Sequence, residues 1–410
     1  MKSFQEKIEK YAELVVKIGL NIQEGQKLIV NSPLEAAPFT RAVVREAYQN
    51  GAKKVHVEWS DSPTGRIQFE EQPEESLKEV PKWRVAMFEE LVENHGAILQ
   101  ITGSDPNAYA GVDPKRIQIS QQASGQALKF FQEAQLKGDI HWCIAGVPTE
   151  AWAKQVFPDK ATDEAIEILW EAIFKTVRLD QENPVEAWKH HSKDLQEKMA
   201  YLNEQKFKAL HYKGPGTDLS IELHPDHVWV AAGHKSTQGR TYIPNMPTEE
   251  VFTAPKKTGV NGTVTSTKPL ALNGNLIENF SFTFKDGKVV DFSAEKGYDA
   301  LKAMLDTDGG ARFLGEVALV PHQSPISQSG IIFFNTLYDE NASCHIALGN
   351  AITMNIKDSD NMSAEELTAQ EVNQSYVHTD FMIGSSQLDI DAETKDGKRL
   401  PLFRNGNWAI

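Results

Sequence analysis

Cysteine is scarce in this chain, whose 410 residues include only Cys143 and Cys344. Two cysteines cannot build the disulfide framework of a small secreted domain, and such scarcity is typical of a reducing compartment. Runs of positive charge are also missing, and the formal net charge is -15. Nucleic acids and anionic membranes favour a basic surface. The sequence therefore excludes a disulfide scaffold and predicts neither a nucleic-acid partner nor a membrane partner.

Long apolar stretches are missing as well. The first 25 residues are charged and helix-patterned, unlike the apolar run of a signal peptide. No segment approaches the roughly 20 apolar residues that a helix needs to span a bilayer. Hydrophobic residues make up 40% of the chain and charged residues 24%, a composition typical of globular proteins. We therefore predict a cytoplasmic protein. We also predict two domains, because a chain of 410 residues is too long to form a single ordinary hydrophobic core.

Several familiar catalytic motifs are absent from the sequence. It contains no His-Glu-x-x-His helix of a single-zinc protease and no Gly-x-Ser-x-Gly nucleophile elbow. It also lacks a phosphate-binding loop, and Gly214-Pro215-Gly216 lacks the third glycine and the helix of a dinucleotide site. Cys143 lies in an apolar run and is predicted to be a core residue, because a reactive thiol needs an accessible, electropositive setting.

The first half of the chain alternates between short apolar runs and helical patterns. The strand-like runs are 27–30, 55–59, 97–101 and 140–145. The helical patterns are 38–50 (stopped by Gly51), 83–94, 115–135 and 150–201, the last with breaks at Pro158 and near Pro184. Strands joined through helices predict crossover connections and a parallel sheet. We therefore predict an α/β domain over residues 1–207.

From residue 208 to 410 the pattern becomes strand-rich. Residues 280–284 alternate, Asp286-Gly287 supplies a tight turn, and 289–292 return, which is a strong hairpin signal. Asp396-Gly397 repeats this turn chemistry, and a helix is predicted over 298–305. The predicted fold class is α/β: an N-terminal parallel-sheet domain followed by a strand-rich α+β domain that carries a metal site.

The metal site is predicted from carboxylates and imidazoles in four short blocks of the second half. The candidate ligands are Glu316, His345, His378 and Asp380, together with one of the adjacent Glu249 and Glu250. The alternation of residues 377–381 places His378 and Asp380 on one face of a strand. Three carboxylates and two imidazoles suit a pair of divalent ions, because bridging carboxylates offset the repulsion between the cations. Such a pair can activate water near neutral pH, which indicates a metal-dependent hydrolase.

Each block taken singly also fits an ordinary structural role. An isolated His-x-Asp pair fits a solvent-facing strand, and His345 fits a hydrogen-bonded core histidine. Glu316 opens an apolar run, where a carboxylate is either solvated or held by charge. Glu249 and Glu250 fit a charged turn. Alternatively, adjacent carboxylates on extended backbone point to opposite sides, so that one of them binds metal while the other serves as a general base.

Four segments together resemble a known family. They read NMPTEEVFTAP at 245–255, GEVALVP at 315–321, ENASCHIALG at 340–349 and HTDFMIG at 378–384. They closely resemble the M29 family of metal-dependent aminopeptidases, the aminopeptidase T and aminopeptidase S group. The resemblance covers essentially the full length, including YAELVVKIGLN at 11–21.

The resemblance implies that the chain releases N-terminal residues from peptides and forms a homodimer. It also implies that Glu250, Glu316, His345, His378 and Asp380 hold two divalent ions, with zinc, cobalt, manganese or magnesium as possible occupants. Glu249 then becomes the candidate proton shuttle. One departure concerns a tyrosine that commonly follows the glycine of the third segment, where this chain has Ile352. Tyr376 is a possible replacement. Two alternative functions remain open: a two-metal amidase acting on non-peptide substrates, and a non-catalytic two-lobed ligand-binding protein.

Overall fold

The computed structural model describes residues 3–103, 105, 107–272, 275–359 and 362–410. The chain divides into two compact units. The first comprises Met1–His190 and Gly233–Pro247, and the second comprises His191–Ala232 and Thr248–Ile410. The sequence pattern placed the boundary at residue 207, whereas the compact units change at His190. The segment 233–247 returns to the first unit, because its strand Asn245–Met246 pairs with that unit's sheet.

The helices and strands are numbered along the chain. The α-helices are α1 (Phe4–Leu14), α2 (Ala37–Gln49), α3 (Ser62–Glu71), α4 (Glu74–Leu77), α5 (Lys82–Glu93), α6 (Pro114–Ala127), α7 (Lys129–Lys137), α8 (Glu150–Val156), α9 (Thr162–Thr176), α10 (Pro184–Gln205), α11 (Tyr298–Leu305), α12 (Pro325–Gln328), α13 (Thr336–Glu340) and α14 (Ala364–Ala369). The strands are β1 (Lys27–Pro33), β2 (Lys54–Ser60), β3 (Ala97–Thr102), β4 (His141–Gly146), β5 (Ala209–Gly214), β6 (Thr217–Leu223), β7 (Val230–Ala231), β8 (His234–Lys235), β9 (Thr241–Tyr242), β10 (Asn245–Met246), β11 (Val251–Thr253), β12 (Pro255–Thr265), β13 (Leu270–Leu272), β14 (Asn275–Lys285), β15 (Lys288–Lys296), β16 (Leu314–Leu319), β17 (His345–Gly349), β18 (His378–Met382), β19 (Asp389–Glu393), β20 (Arg399–Arg404) and β21 (Asn407–Trp408).

The first unit is built on a five-stranded sheet in the order β10-β4-β3-β1-β2. Every pairing in it is parallel, which confirms the predicted parallel sheet. The four apolar runs of the first half form β1 to β4, and the consecutive residues Leu28, Ile29 and Val30 of β1 are all buried. A parallel strand is covered on both faces, and this is why its sequence reads as a continuous apolar run.

The helical patterns of the first half agree with the structure except in one place. The pattern 115–135 is not one helix: α6 and α7 are separated by Leu128, whose φ of -107° and ψ of 19° depart from helical values. The pattern 150–201 comprises α8, α9 and most of α10, and its predicted breaks at Pro158 and near Pro184 are confirmed, because residues 157–161 and 177–183 are not helical. Gly51 follows α2 with a φ of 90°, as its predicted role as a helix stop requires.

The second unit contains two antiparallel sheets. The larger sheet follows the order β13-β14-β12-β6-β5-β19-β20-β21, and β15 pairs with β14. The predicted hairpin is confirmed: Lys285 pairs with Lys288, and Asp286 and Gly287 between them have φ values of 49° and 84°. Two positive φ values define a type I′ turn, whose twist matches that of the strands. The helix predicted over 298–305 is α11.

The smaller sheet has the order β18-β17-β16-β11-β7, and all its pairings are antiparallel. Every residue of β16 and β17 is buried. One face contributes Val317, Ile346 and Phe381 to the core of the second unit. Because side chains alternate along a strand, the residues next to Val317, Ile346 and Phe381 in their own strands point to the opposite face of the sheet.

Candidate metal centre

Four adjacent strands of the smaller sheet position the predicted ligands. Glu250 immediately precedes β11, Glu316 lies on β16, His345 begins β17, and His378 and Asp380 lie on β18. These strands are neighbours in the order β18-β17-β16-β11. The structure therefore brings together all five residues that the sequence analysis selected as candidate ligands.

Strand register determines which ligands lie side by side. Glu316 pairs with Ala347, and Ala347 pairs in turn with Asp380. The two carboxylates therefore lie in one row, with only a methyl group between them. Farther along the same face of β17, His378 pairs with Gly349. A Cβ at Gly349 would lie 2.0 Å from the Val377 carbonyl oxygen, and the φ of 106° also favours glycine.

Two overlapping groups of side chains have the spacing of metal ligands. Glu250, Glu316 and His345 form one group, and Glu316, His378 and Asp380 form the other. Within each group, one potential ligand atom from every residue lies within 4.8 Å of the others. Glu316 belongs to both.

The two oxygens of Glu316 face different histidines. Its Oε1 lies 3.8 Å from His345 Nε2, and its Oε2 lies 3.3 Å from His378 Nε2. The outer carboxylates complete the two groups, with Glu250 Oε2 at 3.1 Å from His345 Nε2 and Asp380 Oδ1 at 3.5 Å from His378 Nε2. This is the geometry of a carboxylate able to bridge two cations.

Backbone carbonyls orient both imidazoles. The Nδ1 of His345 lies 3.1 Å from the Ser343 carbonyl oxygen, and the Nδ1 of His378 lies 2.8 Å from the Asn350 carbonyl oxygen. A carbonyl accepts hydrogen bonds only, so we assign the proton of each neutral ring to Nδ1. The Nε2 lone pairs are then directed toward the carboxylates, which is how metal-binding histidines are commonly held.

Burial makes this cluster costly without cations. Glu250, Glu316 and His345 are only 8%, 5% and 1% exposed. Burial alone lowers the pKa of His345, but Glu250 and Glu316 outweigh it and raise that pKa well above 6.5. The buried Oδ1 of Asp380 has no donor among the described residues other than His378 Nε2. Carboxylates with imidazoles are a suitable donor set for zinc, cobalt or manganese, so divalent cations fit this site.

The metal-free protein should lose stability as the pH rises above 6.5, the ordinary histidine value. Burial lowers the pKa of His378 too, but Asp380 and Glu316 raise it well above 6.5, as happens at His345. The folded state therefore binds more protons than the unfolded state. This stabilisation is complete below 6.5 and is lost as the pH rises through the raised pKa values. Melting temperatures of chelator-treated protein between about pH 6 and 9 test this.

Added divalent cation should reverse that trend, because a cation replaces the protons on the imidazoles and binds more tightly as they leave. The same melting series with Co²⁺ present provides the comparison. A chelated protein whose melting temperature stays constant or increases over this range would contradict the pKa directions at the two histidines.

Glu249 is directed to a different neighbour from Glu250. Its Oε2 lies 3.5 Å from Nε2 of His191 on α10, and its side chain is buried. Glu249 belongs to neither of the two ligand groups. The two adjacent glutamates therefore contact different histidines, Glu249 lying beside His191 and Glu250 beside His345.

Glu340 is a further carboxylate at the site that the sequence analysis did not select. It ends α13, which packs beside β18. Burial, followed by the negative charges of Asp380 and Glu250, raises the pKa of Glu340 well above 4.5. Its nearness to His345 in the chain, within the segment 340–349, was the only available signal. A glutamate ending a five-residue helix has no periodic pattern that would indicate a role.

Tyr376, the possible replacement for the family tyrosine, lies two residues before β18. Its residue surface is 94% exposed, while its backbone N–H donates to Asp308 Oδ2 over 2.6 Å. Ser375 donates to both oxygens of the same aspartate. The backbone of Tyr376 is therefore anchored, and its ring faces solvent.

A buried set of carboxylates and imidazoles that fits divalent cations defines the class of a metal-dependent hydrolase. Residues 4–408 match the family described as thermophilic metalloprotease (M29). The chain is 52% identical to aminopeptidase 2 of Geobacillus stearothermophilus, over 100% of this chain and 99% of that protein. It is 48% identical to aminopeptidase AmpS of Bacillus subtilis over the full length of both.

A solved structure shows the same fold. Wild-type AmpT from Thermus thermophilus matches with a TM-score of 0.94 and 41% identity, covering 100% of both chains. The chain belongs to the thermophilic metalloprotease (M29) family, as its sequence resemblance implied. Within the described residues, none of the helices is long and apolar enough to cross a membrane.

Proposed function

We propose that this protein is a metal-dependent aminopeptidase that removes N-terminal residues from peptides with two divalent ions bound per chain. The observation that carries the proposal is Glu316, which belongs to both ligand groups and directs one oxygen to each histidine. The aminopeptidase names of the relatives support the reaction. Ligand type leaves zinc, cobalt, manganese and magnesium as candidate ions.

The proposed ligands divide into a shared residue and two outer pairs. Glu316 would contribute to both metal positions, Glu250 and His345 would complete one, and His378 and Asp380 would complete the other. Bound divalent ions supply polarisation of the scissile carbonyl and activation of a water molecule near neutral pH. The backbone carbonyls of Ser343 and Asn350 hold the two imidazoles in the ligating orientation.

Two carboxylates outside the ligand set are candidates for proton transfer. The sequence analysis proposes Glu249, whose carboxylate lies beside His191. Glu340 is the second candidate, because its carboxyl group lies within electrostatic reach of Asp380 and Glu250. A proton shuttle must reach the water that attacks the substrate. We therefore place Glu340 ahead of Glu249 for this role.

Blocking the α-amino group of a substrate should abolish its cleavage. An aminopeptidase recognises the free amine, so an N-acetylated aminoacyl chromogenic substrate should react at least about 100-fold more slowly than its free counterpart. A factor of this size corresponds to the loss of about 2.7 kcal/mol of transition-state stabilisation. The measurement is kcat/KM for matched free and acetylated substrates with metal-loaded protein.

The same substrate panel tests the two alternative functions. Comparable cleavage of blocked and free substrates would indicate an endopeptidase or an amidase acting on non-peptide substrates. Metal-loaded protein that binds peptides without turnover would indicate a ligand-binding protein. The relatives named above are aminopeptidases and support neither alternative.

We further propose a homodimer located in the cytoplasm. Resemblance to the M29 family supports the dimer, and the free, buried Cys143 and Cys344 suit a reducing compartment. Light scattering coupled to size exclusion tests the assembly, since a dimer has twice the 45.7 kDa mass of one chain. A monomer mass across the working concentrations would contradict the dimer.

A further inference from the structure

One peptide group next to the candidate ligands is held at both of its polar atoms. The Thr248–Glu249 peptide lies one residue before Glu250 in the chain. Its carbonyl oxygen lies 2.8 Å from His191 Nε2, and its N–H donates over 2.8 Å to Asn341 Oδ1. Rotation of this peptide would therefore break its hydrogen bonds to both His191 and Asn341.

The Asn341 side chain also contacts the carboxylate of Glu340. Its Nδ2 donates over 2.9 Å to the Leu337 carbonyl oxygen and lies 3.3 Å from Glu340 Oε1. Asn341 is fully buried. A carboxamide is planar, so its oxygen and nitrogen keep a constant separation. A single rigid group therefore connects the backbone N–H of Glu249 with the carboxylate of Glu340.

We propose that Asn341 and His191 are positioning residues that hold the ligand Glu250 in its metal-binding orientation. Asn341 also fixes the position of Glu340 relative to that ligand. This inference rests on the proposed metal-dependent function, and neither residue belongs to the two ligand groups.

The physical reason lies in the geometry of the site. The Thr248–Glu249 peptide lies ahead of β11, and its two polar atoms bond to side chains rather than to a neighbouring strand. Rotation of that peptide would swing the Glu250 carboxylate away from His345, which it approaches to 3.1 Å. Residues that orient ligands by hydrogen bonding are typically worth a factor of about 10–100 in metal affinity or activity.

Co²⁺ binding to the full chain tests the inference directly. Asn341→Ala and His191→Leu should each weaken Co²⁺ affinity by about 10–100-fold, measured by competition with a chromophoric chelator. His191→Gln keeps an N–H donor near the Thr248 carbonyl oxygen and should restore affinity to within a few-fold of wild type. Because both residues act on one peptide, the double variant should lose less affinity than the sum of the two single losses.

A matched control separates positioning from general support of the fold. Asn203 also makes two hydrogen bonds to backbone, accepting from the Trp229 N–H and donating to the Trp229 carbonyl, both over 2.9 Å. Asn203→Ala should lower the melting temperature and leave Co²⁺ affinity unchanged. Asn341→Ala and His191→Leu proteins that lose thermal stability but bind Co²⁺ like wild type would overturn the inference.

A failure of this inference can be distinguished from a failure of the proposed function. If Asn341→Ala does not fold, the comparison of His191→Leu with His191→Gln carries the same test. Equal Co²⁺ affinity in those two variants would overturn the inference. A wild-type chain that binds no Co²⁺ would instead overturn the metal-dependent function on which the inference rests.

Discussion

Replacing Glu316 with glutamine should release both bound ions and abolish peptidase activity. Glu316 is the residue common to the two ligand groups, and an amide is a much poorer ligand for a hard cation than a carboxylate. Loss of metal-based stabilisation worth several kcal/mol predicts a fall in kcat on the order of 10³-fold or more. Metal content by elemental analysis and kcat should be measured on the same preparations.

Two comparison variants test whether both ions are lost because Glu316 belongs to both ligand groups. Glu250→Gln alters one group only and should retain one ion per chain, with turnover lost. Glu278→Gln, at an exposed ion pair with Lys296, should keep two ions and full activity. Wild-type protein that is fully active with one tightly held ion would contradict the two-ion proposal. Retention of two ions by Glu316→Gln would contradict a bridging role.

Removing the proton shuttle should leave the metals bound and slow only the chemistry. Glu340→Gln is expected to keep both ions and to lose about 10²–10⁴-fold in kcat, the usual contribution of general acid–base catalysis. Glu249→Gln should change kcat less, because the Glu249 carboxylate lies beside His191.

The paired measurement assigns the role to one of the two carboxylates. A loss of about 10²–10⁴-fold in Glu249→Gln, with both ions retained, would transfer the role to Glu249, as the sequence analysis proposed. Near-normal kcat in both variants would exclude both carboxylates as the shuttle and leave the metal assignment untouched. A general disturbance of the loop at 249 is recognised by loss of metal together with kcat.

Local chemistry was sufficient to predict those parts of the fold that local interactions decide. Asp286-Gly287 predicts its hairpin because the two positive φ values of a type I′ turn exclude most other residue pairs. The alternation over 377–381 places His378 and Asp380 on one face, because the side-chain period of a strand is two. The alternation of the β1 to β4 runs with helical patterns predicts a parallel sheet, because parallel strands require crossover connections. The five candidate ligands were likewise selected from short blocks of the sequence.

Only tertiary structure decided how these residues meet. The antiparallel register that places Ala347 between Glu316 and Asp380 joins strands far apart in the chain, and no local pattern specifies it. The same holds for Glu340, which packing brings to the site from a short helix, and for Asn341, which accepts a hydrogen bond from the backbone N–H of Glu249. Local residue types determine which faces carry charge and where turns form, whereas long-range pairing determines which carboxylates and imidazoles come within ligand distance of one another.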